Sequence, residues 1–119
     1  GFGTLPETES LLLTVEPNLP IDKGYVLHIN DVPVDGFWSL AMYNNEGYFE
    51  KNQYDVYGFS NQSAAKNSDG SITLHLGGDP SSINYIPITE GWNYVVRMYQ
   101  PRVELLNGTW TFPSLKEAH

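Results

Sequence analysis

Two histidines are the residues of this sequence best suited to metal chemistry. A period-two pattern assigns His28 and His75 to the non-core faces of two strands. Imidazole is a good ligand for zinc, copper or nickel, and a carboxylate such as Asp79 could complete a site. However, the histidines are 47 residues apart, and neither belongs to an H-x-H or H-E-x-x-H motif. We therefore expect ordinary strand histidines, with no bound metal and no cofactor.

Serine and carboxylate side chains indicate two other kinds of catalysis, each without a supporting motif. Ser39 lies in the most regular strand pattern, but no G-x-S-x-G sequence surrounds it, as a nucleophile elbow would require. The chain contains 14 Asp and Glu residues, so two acids can lie close together in the sequence by chance. The acids considered for a glycosidase pair are Asp31, Asp35, Glu46, Glu50 and Asp55. Asp69 precedes Gly70 and is expected to shape a turn.

Aromatic and cationic residues are the most informative chemical feature, because the chain has eight Tyr and three Trp. Alternation places Tyr43, Arg97 and Tyr99 opposite the predicted core on the two longest strands. If these strands are neighbours, the three side chains could stack a sugar or planar ligand, with Arg97 holding a carboxylate or phosphate. The alternative is an interface, where aromatic and Arg residues are enriched. We predict these three as ligand- or partner-binding residues.

The elements that must position these residues are short strands separated by turns. Period-two alternation or short β-rich runs predict strands at 11–15, 25–29, 37–43, 48–49, 56–59, 71–76, 85–88 and 92–99. The strand at 85–88 is expected at a sheet edge, because Pro87 has no N–H to donate to a neighbour. Six residues define the predicted core face: Trp38, Leu40, Ile72, Leu74, Val96 and Met98.

Helix signals are weak, since the chain has only four Ala and no sustained i, i+3, i+4, i+7 spacing. Single helical turns are expected after Pro6 and between Ser60 and Lys66. The predicted fold is therefore all-β, an antiparallel β-sandwich of jelly-roll type with short helical turns in loops. No linker or repeat interrupts the chain, so residues 1–119 are expected to form a single domain.

Charge and composition exclude several classes of function. The 14 acidic and 6 basic residues give a net charge of −8, which disfavours binding to nucleic acid. The longest aliphatic run is Leu11 to Leu13, far short of the ~20 residues that cross a membrane, so no membrane insertion is expected. The absence of Cys excludes thiol nucleophiles, Cys-based zinc sites and disulfides.

Four stretches of the sequence together resemble one bacterial family. They are residues 34–43 (VDGFWSLAMY), 67–76, 84–88 (NYIPI), and 97–101 (RMYQP) with 107–110 (NGTW). They are similar to the C-terminal module known as domain of unknown function 1214, which usually follows domain of unknown function 1254. The resemblance implies a jelly-roll β-sandwich and, often, an exported parent protein that is periplasmic or extracellular. It implies no established reaction and no catalytic residues.

Two classes of function remain open from the sequence. The first, which we favour, is a non-catalytic binding or structural module of a larger exported protein. Its partner would be an upstream domain, a second copy of the chain, a carbohydrate or a small acidic ligand. The second is part of an enzyme, such as a metal-assisted hydrolase, whose active site is completed by another domain.

Overall fold

The computed structural model describes residues 2–5, 10–30, 32–46 and 57–117. Within these ranges the chain is almost entirely β, and the elements in chain order are β1 (Phe2–Leu5), β2 (Ser10–Val15), β3 (Tyr25–Ile29), β4 (Trp38–Tyr43), β5 (Gly58–Ser60), β6 (Ile72–Leu76), β7 (Tyr85–Ile86), β8 (Asn93–Tyr99), α1 (Val103–Leu106) and β9 (Lys116–Glu117). The predicted helical turn after Pro6, the predicted strand at 48–49 and the first residue of the predicted strand at 56–59 lie outside the described residues.

The strands form two sheets. The larger has five strands in the order β1-β2-β8-β4-β5, and every pair in it is antiparallel. The smaller has four strands in the order β7-β6-β3-β9. As expected from Pro87, which follows it directly, β7 lies at the edge of its sheet.

The expectation of a purely antiparallel fold is wrong at one pair, because β7 runs parallel to β6. Two left-handed segments explain this direction. Gly77 and Gly78 have φ of 74° and 78° and reverse the chain after β6, and Asn84, with φ of 52°, turns it again before β7. The His75 N–H then donates to the Asn84 carbonyl at 3.1 Å, and the Gly77 N–H donates to the Ile86 carbonyl at 2.8 Å.

Both sheets bury alternate residues in one hydrophobic core. The six residues predicted for the core face are no more than 4% exposed, which confirms that prediction. Aromatic pairs lie in this core: the ring centroid of Tyr25 in β3 is 5.6 Å from that of Trp92, just before β8, and the ring centroid of Trp38 in β4 is 6.3 Å from that of Phe112, which lies between α1 and β9. The period-two pattern therefore sets which residues are left for the outer surfaces.

Gly58 lets β5 approach β4 closely. A Cβ atom at this position would collide with the Leu40 carbonyl oxygen, so no larger residue fits without moving the strand. Close approach of a neighbouring backbone is one of the uses of a glycine within a strand.

The helix α1 was missed by the sequence interpretation, which placed helical turns elsewhere. It has only four residues and is held to the core by Leu105, which is 6% exposed, while the Asn107 N–H donates to the Val103 carbonyl. Four residues are too few for a helical period to appear. No helix in the described ranges combines the length and apolar character that crossing a membrane needs.

Replacing a core leucine tests the position of this core. Leu74→Ala is expected to lower the free energy of unfolding by about 2–5 kcal/mol, because Leu74 is fully buried and its truncation leaves a cavity. The matched control is Leu106→Ala, since Leu106 is 60% exposed and its loss should cost about 0.5 kcal/mol or less. Urea denaturation measures both, and equal losses would contradict the described core.

The buried phenol of Tyr94 predicts a loss of stability in alkali. Burial raises the pKa of Tyr94 to about 12, above the ordinary value of 10. Because the folded-state pKa is the higher one, this contribution to stability is complete below pH 10 and falls as the pH rises towards 12. The loss should approach about 1.4 kcal/mol per pH unit. Tyr94→Phe should remove this part of the pH dependence in urea denaturation, and an unchanged profile would contradict it.

Candidate functional site

The three predicted binding residues lie on one surface, the outer face of the five-stranded sheet. Strands β4 and β8 are hydrogen-bonded neighbours, which is the condition that a shared platform required. In their register Ser39 lies opposite Arg97, and Ala41 lies opposite Val95. The inner neighbours of these residues are buried, so the side chains of Tyr43, Arg97 and Tyr99 are directed away from the core.

The structure brings Arg97 and Tyr99 together but places Tyr43 at the other end of the face. Tyr43 lies opposite Asn93, four residues along β8 from Arg97 and six from Tyr99. At about 3.4 Å per residue these separations are about 14 Å and about 20 Å. A single small ring therefore cannot contact both tyrosines.

Phe37 is a member of this site that the sequence interpretation did not select. Its ring stacks on Tyr99 with centroids 4.4 Å apart and an interplanar angle of 25°, and it remains 39% exposed. The Tyr99 N–H also donates to the Phe37 carbonyl at 2.8 Å. Alternation had already placed Phe37 on the non-core side, but only the strand register shows that it lies beside Tyr99.

The outer face is apolar for the surface of a sheet. Strand β2 extends it beyond β8, since Leu12 lies opposite Arg97 and Thr14 lies opposite Val95. Its aliphatic and aromatic members are Leu12, Phe37, Ala41, Tyr43, Val95 and Tyr99, and its polar members are Ser10, Thr14, Ser39, Ser60, Asn93 and Arg97. Arg97 is the one charged group among these residues. An antiparallel sheet that faces water usually alternates to polar residues on that side, so this face departs from the common pattern.

The outer face of the four-stranded sheet provides a comparison within the same molecule. Its positions carry Val26, His28, Thr73, His75, Tyr85 and Lys116. Two imidazoles, a hydroxyl and an ammonium group make this surface the more polar of the two. The two outer faces therefore differ in polarity, and the outer face of the five-stranded sheet is the more apolar of the two.

The two histidines lie on neighbouring strands of that polar face. Because His28 is opposite Thr73 and His75 is opposite Val26, the imidazoles occupy diagonal positions. Each ring already has a partner: His28 Nδ1 lies 3.2 Å from Thr73 Oγ1, and His75 Nδ1 lies 2.6 Å from the Ile83 carbonyl oxygen.

Asp79, the proposed third ligand, is engaged in a turn. It lines a cavity of about 350 Å³ together with His75. Its Oδ1 accepts hydrogen bonds from the N–H of Ser81 at 3.0 Å and the hydroxyl of Ser81 at 2.9 Å, and these bonds lower the pKa of Asp79. Across the ranges that the structure describes, no three His, Cys, Asp or Glu residues are grouped as a metal ion would require.

The nucleophile considered at Ser39 does not meet a histidine. Ser39 is on the outer face of the five-stranded sheet, whereas His28 and His75 are on the outer face of the other sheet, so the core lies between them. His119 lies outside the described residues. A Ser-His-acid arrangement needs direct hydrogen bonds between its members, and these residues do not form one.

The carboxylates considered for a glycosidase pair are dispersed or occupied. Asp31, Glu50 and Asp55 lie outside the described residues. Asp35 accepts a hydrogen bond from Arg102 Nε at 2.9 Å, and Glu46 lies in a surface turn.

Asp69 shapes a turn, as the sequence predicted. Its Oδ1 accepts hydrogen bonds from the hydroxyl of Ser71 at 2.6 Å and the N–H of Ser71 at 2.9 Å. These bonds lower the pKa of Asp69, because they stabilise the carboxylate. They also connect the turn to the start of β6.

Comparisons with known proteins identify the fold but no activity. A family model described as "Protein of unknown function (DUF1214)" matches residues 15–103. The VPA0106 protein from Vibrio parahaemolyticus has a similar structure, with a TM-score of 0.82 and 20% identity over 97% of this chain. An uncharacterized protein from Burkholderia cenocepacia is also similar, with a TM-score of 0.62 and 18% identity over 98% of this chain. This chain spans only 32% and 30% of those two proteins. A search of curated proteins gave no match.

Contact between Phe37 and Tyr99 can be measured with a double-mutant cycle. Phe37→Ala, Tyr99→Ala and the double variant are expected to show a coupling free energy of about 0.5–1.5 kcal/mol in urea denaturation, because the two rings stack. The same cycle with Phe37 and Tyr43 is the control. It should give a coupling near zero, since Tyr43 lies at the far end of the face. Absence of coupling between Phe37 and Tyr99 would contradict the described site.

Proposed function

Since the chain belongs to the DUF1214 family of proteins of unknown function, we propose that it is a non-catalytic, partner-binding module of a longer protein. In this proposal the outer face of the five-stranded sheet docks onto another part of the same polypeptide. The occupant is the upstream domain that the family resemblance implies, domain of unknown function 1254. The two similar solved proteins are about three times as long as this chain, so each has room for such a domain.

The apolar character of the outer face is the observation that carries this proposal. Each cross-strand row contains at least one aliphatic or aromatic side chain: Tyr99 beside Phe37, Leu12 beside Arg97, Val95 beside Ala41, and Tyr43 beside Asn93. Burying apolar area stabilises an association by about 25 cal/mol per Å², whereas leaving it in water gains nothing. Continuous apolar patches on a soluble domain are typical of contact surfaces.

Further exposed hydrophobic residues follow β8 in the chain. Tyr99 is the last residue of β8, and α1 begins four residues later with Val103, which is 63% exposed. Leu106 of the same helix is 60% exposed.

A macromolecular partner suits the face better than a sugar. The tyrosines that would stack a sugar are about 20 Å apart along the strands, so a single ring can use only one of them. A docked domain would instead cover the whole length of β4 and β8. Aromatic residues and Arg are the side chains that most often carry the binding energy of such interfaces.

Arg97 has a specific place in this proposal. It lies between Leu12 and Ser39 near the middle of the face, where water would be excluded on docking. A guanidinium group in that position needs a hydrogen-bond acceptor from the partner, and a carboxylate offers the strongest one. The partner is therefore expected to place an acidic side chain opposite Arg97.

We also propose that the fold is of jelly-roll type, and the path of the chain between the two sheets supports this. The chain passes from β2 in one sheet to β3 in the other and back to β4, and later from β6 to β8 in the same way. Strands remote in sequence thereby become neighbours, with β8 between β2 and β4, as in Greek-key arrangements.

A charge placed at the centre of the outer face tests the docking proposal. In the whole protein, Val95→Glu is expected to weaken the attachment of this module by about 2 kcal/mol or more, because docking would bury an unpaired carboxylate. Thermal denaturation and limited proteolysis of the whole protein measure the effect. Val26→Glu is the matched control, since Val26 is also a half-buried valine but on the polar outer face.

The outcomes separate the alternatives for this face. Equal effects of the two variants, or no effect of either, would contradict docking through the outer face. Saturable binding of a monosaccharide that is lost in Arg97→Gln would show a carbohydrate site in its place. A normal far-UV circular dichroism spectrum of each variant confirms that the comparison is made between folded proteins.

A further inference from the structure

One end of the two-sheet structure contains a cavity whose described lining residues include two cations and no carboxylate. The cavity has a volume of about 340 Å³ and lies where β3 ends and where β4 and β6 begin. We propose that it binds a small amphipathic carboxylate, such as an aromatic or short aliphatic acid. This site is distinct from the docking surface of the proposed function.

The lining of the cavity favours an anion. Two of the six cationic residues of the chain, Lys66 and Arg102, line it, and none of its described lining residues is Asp or Glu. The whole chain has more acidic than basic residues and a net charge of −8, so the lining of this cavity differs from the rest of the chain. A second cavity of about 500 Å³ shows the opposite pattern, with Glu16 and Glu90 and no cation.

Arg102 is held in place for binding. Its Nε donates to Asp35 Oδ1 at 2.9 Å, and its backbone N–H donates to the Pro33 carbonyl at 2.8 Å. Because Asp35 engages Nε, both terminal NH₂ groups of the guanidinium remain as donors for a ligand. Two parallel N–H groups match the two oxygens of a carboxylate.

Lys66 and Asn61 add further donors. The ion pairs found within the described ranges join Lys23 to Glu117 and Arg102 to Asp35, so Lys66 has no carboxylate partner there. Asn61 accepts the Trp38 backbone N–H through Oδ1 at 3.4 Å, which leaves its NH₂ group able to donate. A carboxylate at this position would replace water around Lys66 with a charge-assisted hydrogen bond.

Apolar side chains of the core reach the wall of the cavity between its polar groups. Ile29, Trp38 and Ile72 line it, and each is buried in the core. A ligand with an apolar body would contact these side chains while its carboxylate met the cations. A cavity of about 340 Å³ has room for a small acid such as benzoate.

Benzoate and hexanoate are suitable probes, with benzamide and hexanamide as neutral counterparts of the same shape. Isothermal titration calorimetry and chemical-shift changes in the full chain are expected to show saturable binding of at least one acid. The matching amide should bind at least about tenfold more weakly, because it lacks the charge that the cavity pairs. Inorganic phosphate should compete only weakly, since it has no apolar body.

Lys66→Gln and Arg102→Gln are each expected to weaken binding of the acid by about tenfold or more. Lys23→Gln is the matched control, because it removes one cation whose side chain pairs with Glu117 rather than lining the cavity. It should leave the affinity unchanged. Far-UV circular dichroism and urea denaturation confirm that each variant folds.

Four results would overturn the proposal. They are failure of both acids to bind, equal binding of an acid and its amide, an equal loss in Lys23→Gln, and displacement by phosphate at equal concentration. None of these results depends on the outer face of the five-stranded sheet, so the docking proposal would remain unaffected. Conversely, Val95→Glu would leave binding of the acids unchanged.

Discussion

The packing of two sheets through alternate side chains is the constraint on which the rest of this structure depends. Leu40, Leu74 and Val96 are almost fully buried, and each has neighbours along its strand that point the opposite way. Because successive side chains of a strand point to opposite faces, a residue whose side chain is in the core is followed by one whose side chain points to the outer surface. The outer face of the five-stranded sheet is therefore a direct consequence of how the core is filled.

This constraint explains which parts of the structure the sequence could predict. The core-facing residues of β4, β6 and β8 follow from their alternation, and so does the outward direction of Tyr43, Arg97 and Tyr99. Cross-strand register depends on contacts between residues far apart in the chain, and no local pattern encodes it. For this reason the stacking of Phe37 on Tyr99 and the distance between the two tyrosines could not be predicted.

The helix α1 and the direction of β7 could not be predicted, for different reasons. The helix has four residues, too few to establish a helical period, whereas the strand itself was predicted at 85–88 and only its direction was not. The parallel direction of β7 results from left-handed backbone at Gly77, Gly78 and Asn84. Glycine and asparagine indicated a turn in this segment, but a turn signal does not specify in which direction the chain leaves.

The position of β8 has a consequence for how the protein is made. Among the described strands, the two halves of the larger sheet, β1–β2 and β4–β5, are joined only through β8, whose residues are 93–99. While a ribosome is still producing the residues that precede β8, those halves expose unpaired strand edges and apolar side chains. The native topology of this sheet can form only after β8 has been synthesised, and pairing over such long sequence separations is slow. The nascent strands β1, β2, β4 and β5 therefore need protection from aggregation until β8 emerges.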